Sequence, residues 1–262
     1  MTFGRSVTTA VIPAAGLGTR MAAVSGGVPK ELLPIGARPA IDYSIREALA
    51  AGLHRIVVIL NSRKQLIAEH LRRQFKDSEA QFVFVNQEQP RGLGEALLLV
   101  ESEIGGEAFA LIIPDNLFVN PEYSFGRFLD TYRQEDCDIV GVVQLDAGDA
   151  ARWGNCGQID YEGIGPDLLH IRKLHDKGTG TIRLTASHPK ILRACGRYVC
   201  KPHLFDTLRT MRPDGVEFSE VPAYQKIAEQ RRLLGLLLPG PVFDVGIPSG
   251  YLAAQEHFSR VV

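Results

Sequence analysis

The chain has 262 residues, 45% of them hydrophobic and 23% charged, with a formal net charge of −1. That is enough apolar material for a substantial core. The near-neutral balance argues against a general nucleic-acid or membrane-surface binder, and no apolar run is long enough to span a bilayer. The N-terminal segment MTFGRSVTTAVIP carries one Arg and runs straight into a strand, which predicts no secretory signal and a cytoplasmic protein.

In chain order, TTAVIP (8–13) reads as a buried strand, followed by a glycine loop with Gly16 and Gly18, then Arg20, and Lys30 between Pro29 and Glu31. PAIDYSIREALAA (39–51) has helical spacing and stops at Gly52. HRIVVIL (54–60) is a continuous apolar strand, RKQLIAEHLRRQF (63–75) an amphipathic helix and QFVFVN (81–86) a strand. GEALLLVESEI (94–104) reads as one helix and AFALIIP (108–114) as another apolar strand. Short apolar strands between helices predict a parallel sheet covered on both faces. Right-handed crossovers put the strand C-termini on one edge, with the loop after Pro13, Gln87 and Asp115 along it.

From Asp146 to about Ser187 the chain is rich in Gly, Asp and Arg, with short strand-like pieces (CGQIDYEG, LLHIRKLHD). This predicts an irregular β insertion over the sheet edge. The end returns to α/β: RACGRYVC a strand, KPHLFDTLRTM and VPAYQKIAEQR helices, RLLGLLLPG and PVFDVGI strands, and PSGYLAAQEHF a last helix with Pro248 near its start. The expected organisation is one domain over 1–262, with a nucleotide-binding half (1–145) and a second half (146–262) carrying the insertion.

Small residues let backbone N–H groups approach an anion, and Arg20 and Lys30 lie in an otherwise small, apolar loop. The P-loop pattern is absent. The dinucleotide fingerprint also fails, because Met21 stands where a small residue is needed and Leu60-Asn61 where an acid is. Asp115 can hold a hard cation or cap a turn; a second strand-end carboxylate, Asp244 before Gly246, favours the cation. The four cysteines (137, 156, 195, 200) form no CxxC pair and read as buried hydrophobes, and the seven histidines do not cluster. Trp153 is either a stacking platform for a ligand or an anchor for the insertion.

The run Gly16, Gly18, Thr19, Arg20, Pro29, Lys30, Glu31, Leu33, Pro34 resembles the signature of the sugar-nucleotide pyrophosphorylases, whose pattern is GxGTR followed by Pro-Lys-Glu and Leu-Pro. The resemblance covers most of the chain, strongest over 8–116 and 194–252, and is greatest to the bacterial glucose-1-phosphate uridylyltransferase branch. Asp115-Asn116-Leu117-Phe118 looks more like the thymidylyltransferase branch. It implies a Rossmann-like, mixed and mostly parallel central sheet with helices on both faces and a small β-rich insertion over the active-site edge, similar to the glycosyltransferase-A fold.

The implied reaction is nucleotidyl transfer from an NTP, UTP favoured, to a sugar 1-phosphate, glucose 1-phosphate favoured. Mg2+ is the implied cofactor, on Asp115 and Asp244. The loop Ala14, Ala15, Gly16, Gly18 and Thr19 would hold the nucleotide, with Arg20 on the triphosphate and Lys30 on the α-phosphate. Gln87, Gly92 and Gly94 would read the base. On the acceptor side the resemblance implies Asn116, Gly157, Asp176, Lys177 and Gly196, with Glu217 in place of a family acid. His175-Asp176-Lys177-Gly178 departs from the family's Glu-Lys-Pro, and Lys173 competes with Lys177 as the acceptor lysine. A homo-oligomer, dimer or tetramer, is expected. Two other readings stay open: a pyrophosphorylase using dTTP or another NTP with a different sugar or cyclitol 1-phosphate, and a non-catalytic nucleotide-sugar-binding regulator.

Overall fold

A computed structural model describes residues 6–119, 124–146, 153, 158–175, 191–213 and 217–260. Its centre is a nine-stranded sheet built on apolar runs that alternate between two covered faces. Strands β1 (Thr9–Pro13), β4 (Arg55–Leu60) and β6 (Phe109–Ile112) send Ala10, Ile12, Ile56, Val58, Leu60, Ala110 and Ile112 to one core. Val11, Val57, Ile59, Phe109 and Leu111 go to the other. Period-two alternation with both faces apolar leaves no polar face, which is why these strands read as continuous hydrophobic runs.

Helices α2 (Ala40–Ala50), α3 (Gln65–Gln74) and α6 (Ser124–Glu135) cover the first face through Ile41, Ile45, Ile67, Leu71, Phe125 and Phe128. Helices α4 (Leu93–Leu99), α5 (Glu101–Ile104), α7 (His203–Met211) and α8 (Val221–Glu229) cover the second, with Leu97, Ile104, Phe205 and Tyr224 among the contacts. The stretch read from sequence as one helix over 94–104 is thus two, broken at Val100, whose ψ of 2° departs from the helical value.

β5 (Gln81–Asn86), β8 (Asp138–Leu145), β9 (Ile159–Gly163), β10 (Leu168–Leu174), β11 (Ile191–Cys200) and β12 (Leu233–Leu237) complete the sheet, while β2 (Pro34–Ile35) and β3 (Arg38–Pro39) form a separate two-stranded sheet and α1 (Ala22–Ser25) is a single short turn of helix. The order is β5-β4-β1-β6-β11-β8-β12-β10-β9. The β5-β4-β1-β6 block and the β8-β12 pair are parallel; β11 runs antiparallel to both of its neighbours. β9 and β10, the described strands of the insertion, join this same sheet beyond β12 as its antiparallel edge.

A third core sits over the strand ends. A two-stranded ribbon of β7 (Asn116–Phe118) and β13 (Val242–Asp244) pairs Asn116 with Asp244. Leu117, Phe243 and Val245 pack with Met21 and Leu33 of the glycine-loop segment and with Tyr251 of α9 (Pro248–Ser259). The ribbon therefore ties the two halves of the sequence together at the sheet edge.

Two buried groups carry stability predictions. Arg197 Nε and Nη2 donate to the Glu47 carboxylate at 2.8 to 3.0 Å, and both side chains are essentially inaccessible. Glu47→Gln leaves the guanidinium buried and unneutralised and is expected to cost about 3–5 kcal/mol in denaturant unfolding. Burial pushes the Cys195 thiol up to about 12, and the Cys200 thiol well above its ordinary value. Alkylation at pH 8 followed by mass spectrometry should leave both unmodified until the protein is unfolded, because the thiolate is the reactive form.

Candidate active site

One cavity of about 680 Å3 opens at the C-terminal ends of the parallel strands. Ala15 to Arg20, Lys30, Gln87, Gly92, Ile113, Asp115, Glu217, Ser219 and Gly246 are among the residues that line it. The three sequence positions expected along this edge, the loop after Pro13, Gln87 and Asp115, thus meet in a single space.

The glycine loop is fastened from beneath. Gly18 stands at φ 68°, a left-handed conformation that suits glycine. Ala14 N–H donates to the Ile59 carbonyl, Lys64 Nζ donates to the Ala14 carbonyl at 2.9 Å, and Asn61 Nδ2 donates to the Ala15 carbonyl. Lys64 also grips both oxygens of buried Glu31, at 2.9 and 2.8 Å. Ala14 itself is buried behind the cavity wall, so it supports the loop rather than lining the space. The sequence reading gives Lys64 no role; only the approach of Glu31 from another segment makes it a clamp.

Lys30 pairs with Asp115 Oδ1 and lies 3.4 Å from Glu31 Oε1. Burial works to lower the Lys30 ammonium, but Asp115 and Glu31 outweigh it and hold the group above its ordinary value. Burial works to raise the Asp115 carboxyl; Lys30, with help from Arg20 and Lys64, holds it below. Burial lowers the Lys64 ammonium, only partly countered by Glu31. The cavity floor is therefore charged on both sides, with Arg20 alongside.

Asp115 and Asp244 face a common point. A Cβ added to Gly246 would lie 2.7 Å from Asp115 Oδ2 and 3.1 Å from Asp244 Oδ1, and the Gly246 N–H donates to that Asp244 oxygen. The described residues contain no cluster of three or more His, Cys, Asp or Glu suited to a metal. Two carboxylates beside this cationic cavity are the donor set that suits Mg2+, which keeps waters and takes substrate phosphates. The residues present fit that ion.

Gln87 is buried, and its amide is half committed: Nε2 donates to the Gly92 carbonyl at 3.1 Å. Among the described residues nothing donates to its Oε1. Gly92 has φ 97°, and a Cβ there would stand 2.3 Å from the Phe218 carbonyl oxygen. The reason is a short pairing of two segments: Phe218 N–H donates to the Arg91 carbonyl and Gly94 N–H to the Phe218 carbonyl. This pairing carries Glu217 and Ser219 to the cavity wall. Gly92→Ala is expected to cost about 2–3 kcal/mol in stability and to raise the KM for nucleotide more than that for acceptor.

On the acceptor side, Gly196 (φ 66°) packs on Asn116: a Cβ would meet Asn116 Oδ1 at 2.6 Å and Ile113 Cβ at 3.0 Å. Arg197 Nη1 donates to the Ile113 carbonyl, bracing the turn that leads to Asp115. Asn116 and Gly196 stand behind the cavity rather than on its lining. Gly157, Asp176 and Lys177 lie outside the described residues. Lys173, on β10, is exposed and does not line the cavity. Trp153 is buried, with the Arg193 guanidinium 4.1 Å from its ring centroid, so one ring face is taken by the protein itself.

A mixed sheet with a glycine-walled, cationic cavity at its parallel strand ends is the architecture of a nucleotide-handling α/β enzyme. The nucleotidyl transferase family profile matches residues 9–259. UTP–glucose-1-phosphate uridylyltransferase of Mycoplasma genitalium is 31% identical, over 94% of this chain and 89% of that protein. The Bacillus subtilis protein of the same name is 29% identical, over 97% and 92%. A solved UDP-glucose pyrophosphorylase complexed with UDP-glucose has a TM-score of 0.83 at 25% identity, covering 98% of this chain and all of that one. The chain belongs to the nucleotidyl transferase family. No helix among the described residues is long and apolar enough to cross a membrane.

Proposed function

We propose that the protein transfers the uridylyl group of UTP to glucose 1-phosphate, giving UDP-glucose and pyrophosphate. The observation that carries this reading is the convergence of the glycine loop, the Lys30–Asp115 pair and Gln87 on one cavity. Relatives with uridylyltransferase names match nearly the whole chain.

In this reading Gln87 Oε1 accepts the imide N–H of uracil while its Nε2 stays on Gly92. Cytosine offers an unprotonated ring nitrogen there and is rejected by acceptor–acceptor repulsion. The backbone of Ala15, Gly16, Gly18 and Thr19 approaches the phosphates, and Arg20 neutralises part of the triphosphate charge. Asp115 and Asp244 would hold Mg2+, which supplies charge neutralisation on the phosphate oxygens.

A phosphate oxygen of glucose 1-phosphate attacks the α-phosphorus in line. The bond from that phosphorus to the oxygen bridging to the β-phosphate breaks, and pyrophosphate leaves with the electron pair. The nucleophile is already anionic, so no general base is required. Lys30 meets the charge that builds on the α-phosphoryl oxygens, which is where a preorganised cation lowers the barrier. To do so its ammonium would turn from Asp115, its present ion-pair partner, toward the substrate. Asn116, Gly157, Asp176 and Gly196 are assigned to the sugar, and Lys177 to its phosphate.

The test is a grid of UTP, dTTP, CTP, GTP and ATP against several sugar 1-phosphates. UTP with glucose 1-phosphate should give the highest kcat/KM, and dTTP should come second. One methyl group is worth only about 1–3 kcal/mol of discrimination. A preference for CTP or a purine nucleotide would contradict the Gln87 assignment. Lys177→Ala should raise the KM for sugar phosphate far more than that for UTP; an equal rise would move the role to Lys173 or elsewhere.

A further inference from the structure

The segment that follows β4 sends two buried polar side chains, Asn61 and Lys64, to one side of the glycine loop. Asn61 Nδ2 donates to the Ala15 carbonyl, and Lys64 Nζ donates to the Ala14 carbonyl at 2.9 Å. Both donors are locked in place. Asn61 Oδ1 accepts the Arg63 N–H at 2.9 Å, which fixes the way its amide faces. The three protons of the Lys64 ammonium meet three acceptors, the Ala14 carbonyl and both Glu31 oxygens. Asn61 and Lys64 border a smaller hollow of about 280 Å3 behind the loop, whereas Ala15 and Gly16 line the 680 Å3 cavity in front of it and do not border the hollow. The loop is thus a wall with two consecutive carbonyls pinned at its back.

A trans peptide is planar, so its N–H points opposite to its C=O. Among the described residues the one cis bond is Gly240-Pro241, so the peptides joining Ala14 to Ala15 and Ala15 to Gly16 are trans. Pinning the Ala14 and Ala15 carbonyls at the back therefore turns the N–H groups of Ala15 and Gly16 to the front, toward the cavity. Among the described residues neither N–H donates to another backbone group. A Cβ on Gly16 would meet nothing within 4 Å, so the loop is open there. Two successive N–H groups facing one side form an anion-binding concavity. On the nucleotidyl-transfer reading given above, we propose that Asn61 and Lys64 are positioning residues that aim the Ala15 and Gly16 N–H groups at the triphosphate before it arrives. They act through the loop and touch no substrate.

The test is Asn61→Ser, because Lys64 also fixes Glu31 and Asn61 does not. Serine keeps a neutral acceptor for the Arg63 N–H and is too short to hold the Ala15 carbonyl. With the full-length enzyme and Mg2+, the variant should raise the KM for UTP about tenfold, the worth of one hydrogen bond to a charged group. The inhibition constant of uridine, which carries no phosphate, should stay at the wild-type value. An Asn61 that merely supports the fold would move UTP and uridine together. Equal weakening of both, or no change in either, overturns the proposal. If Asn61→Ser does not fold, the 15N-labelled wild type decides: the amide signals of Ala15 and Gly16 should shift on adding UTP with Mg2+ and stay in place with uridine. UTP that binds without moving them overturns the proposal and leaves nucleotidyl transfer standing. Failure of UTP to bind at all overturns the nucleotidyl-transfer reading as well.

Discussion

Lys30→Ala is expected to lower kcat for nucleotidyl transfer by about 10²–10³ while changing the KM for UTP far less. The reason is where charge develops. Binding UTP places negative charge throughout the triphosphate, and Arg20 together with the loop N–H groups can answer it in the ground state. At the transition state the α-phosphoryl group is held between the entering and leaving oxygens. Removing one preorganised cation aimed at such a centre typically costs about this much. Lys30 is prepared for the role. Its ammonium is kept charged by Asp115 and Glu31, and Glu31 is itself fixed by Lys64. Lys64→Met should therefore reproduce part of the kcat loss without touching substrate. Steady-state kinetics with UTP and glucose 1-phosphate varied in turn checks both; a Lys30→Ala enzyme within threefold of wild-type kcat would remove Lys30 from the chemistry.

The second large effect concerns the carboxylates. Asp115→Asn and Asp244→Asn are each expected to reduce Mg2+-dependent turnover by at least about 10², because a neutral amide is a much poorer partner for a hard cation than a carboxylate. The two variants differ in their side effects. Asp115→Asn also releases Lys30 from its ion pair, so its kcat should fall further and its Mg2+ requirement should shift. Asp244→Asn leaves Lys30 in place. Circular dichroism and thermal unfolding verify that each variant is folded. Near-normal turnover in both folded variants, with an unchanged Mg2+ titration, would take the metal away from this pair.

Arg20, Lys30, Gln87 and Asp115 were each legible because each follows a recognisable apolar strand or glycine turn, and parallel topology brings such ends to one edge. Gly92 was legible as a turn, but the cause of its left-handed backbone is the carbonyl of Phe218, well over a hundred residues away in the chain. Pairing of that kind has no local signal. β8 and α6 fall in the stretch between 117 and 145, for which the sequence reading assigns no element, although DIVGVVQL has the same buried-strand character as its neighbours. Nothing local to RACGRYVC says that Arg193 is buried against Trp153, a residue some forty positions earlier in the chain. Lys64 is the same case: it becomes structural when Glu31 arrives from another element.

The most direct test of the account is a single reaction: purified protein, UTP, glucose 1-phosphate and Mg2+, with pyrophosphate and UDP-glucose followed together. The two products should appear in equal amounts, and omitting either Mg2+ or glucose 1-phosphate should stop both. UTP bound tightly with neither product formed, or pyrophosphate released without UDP-glucose, would contradict it.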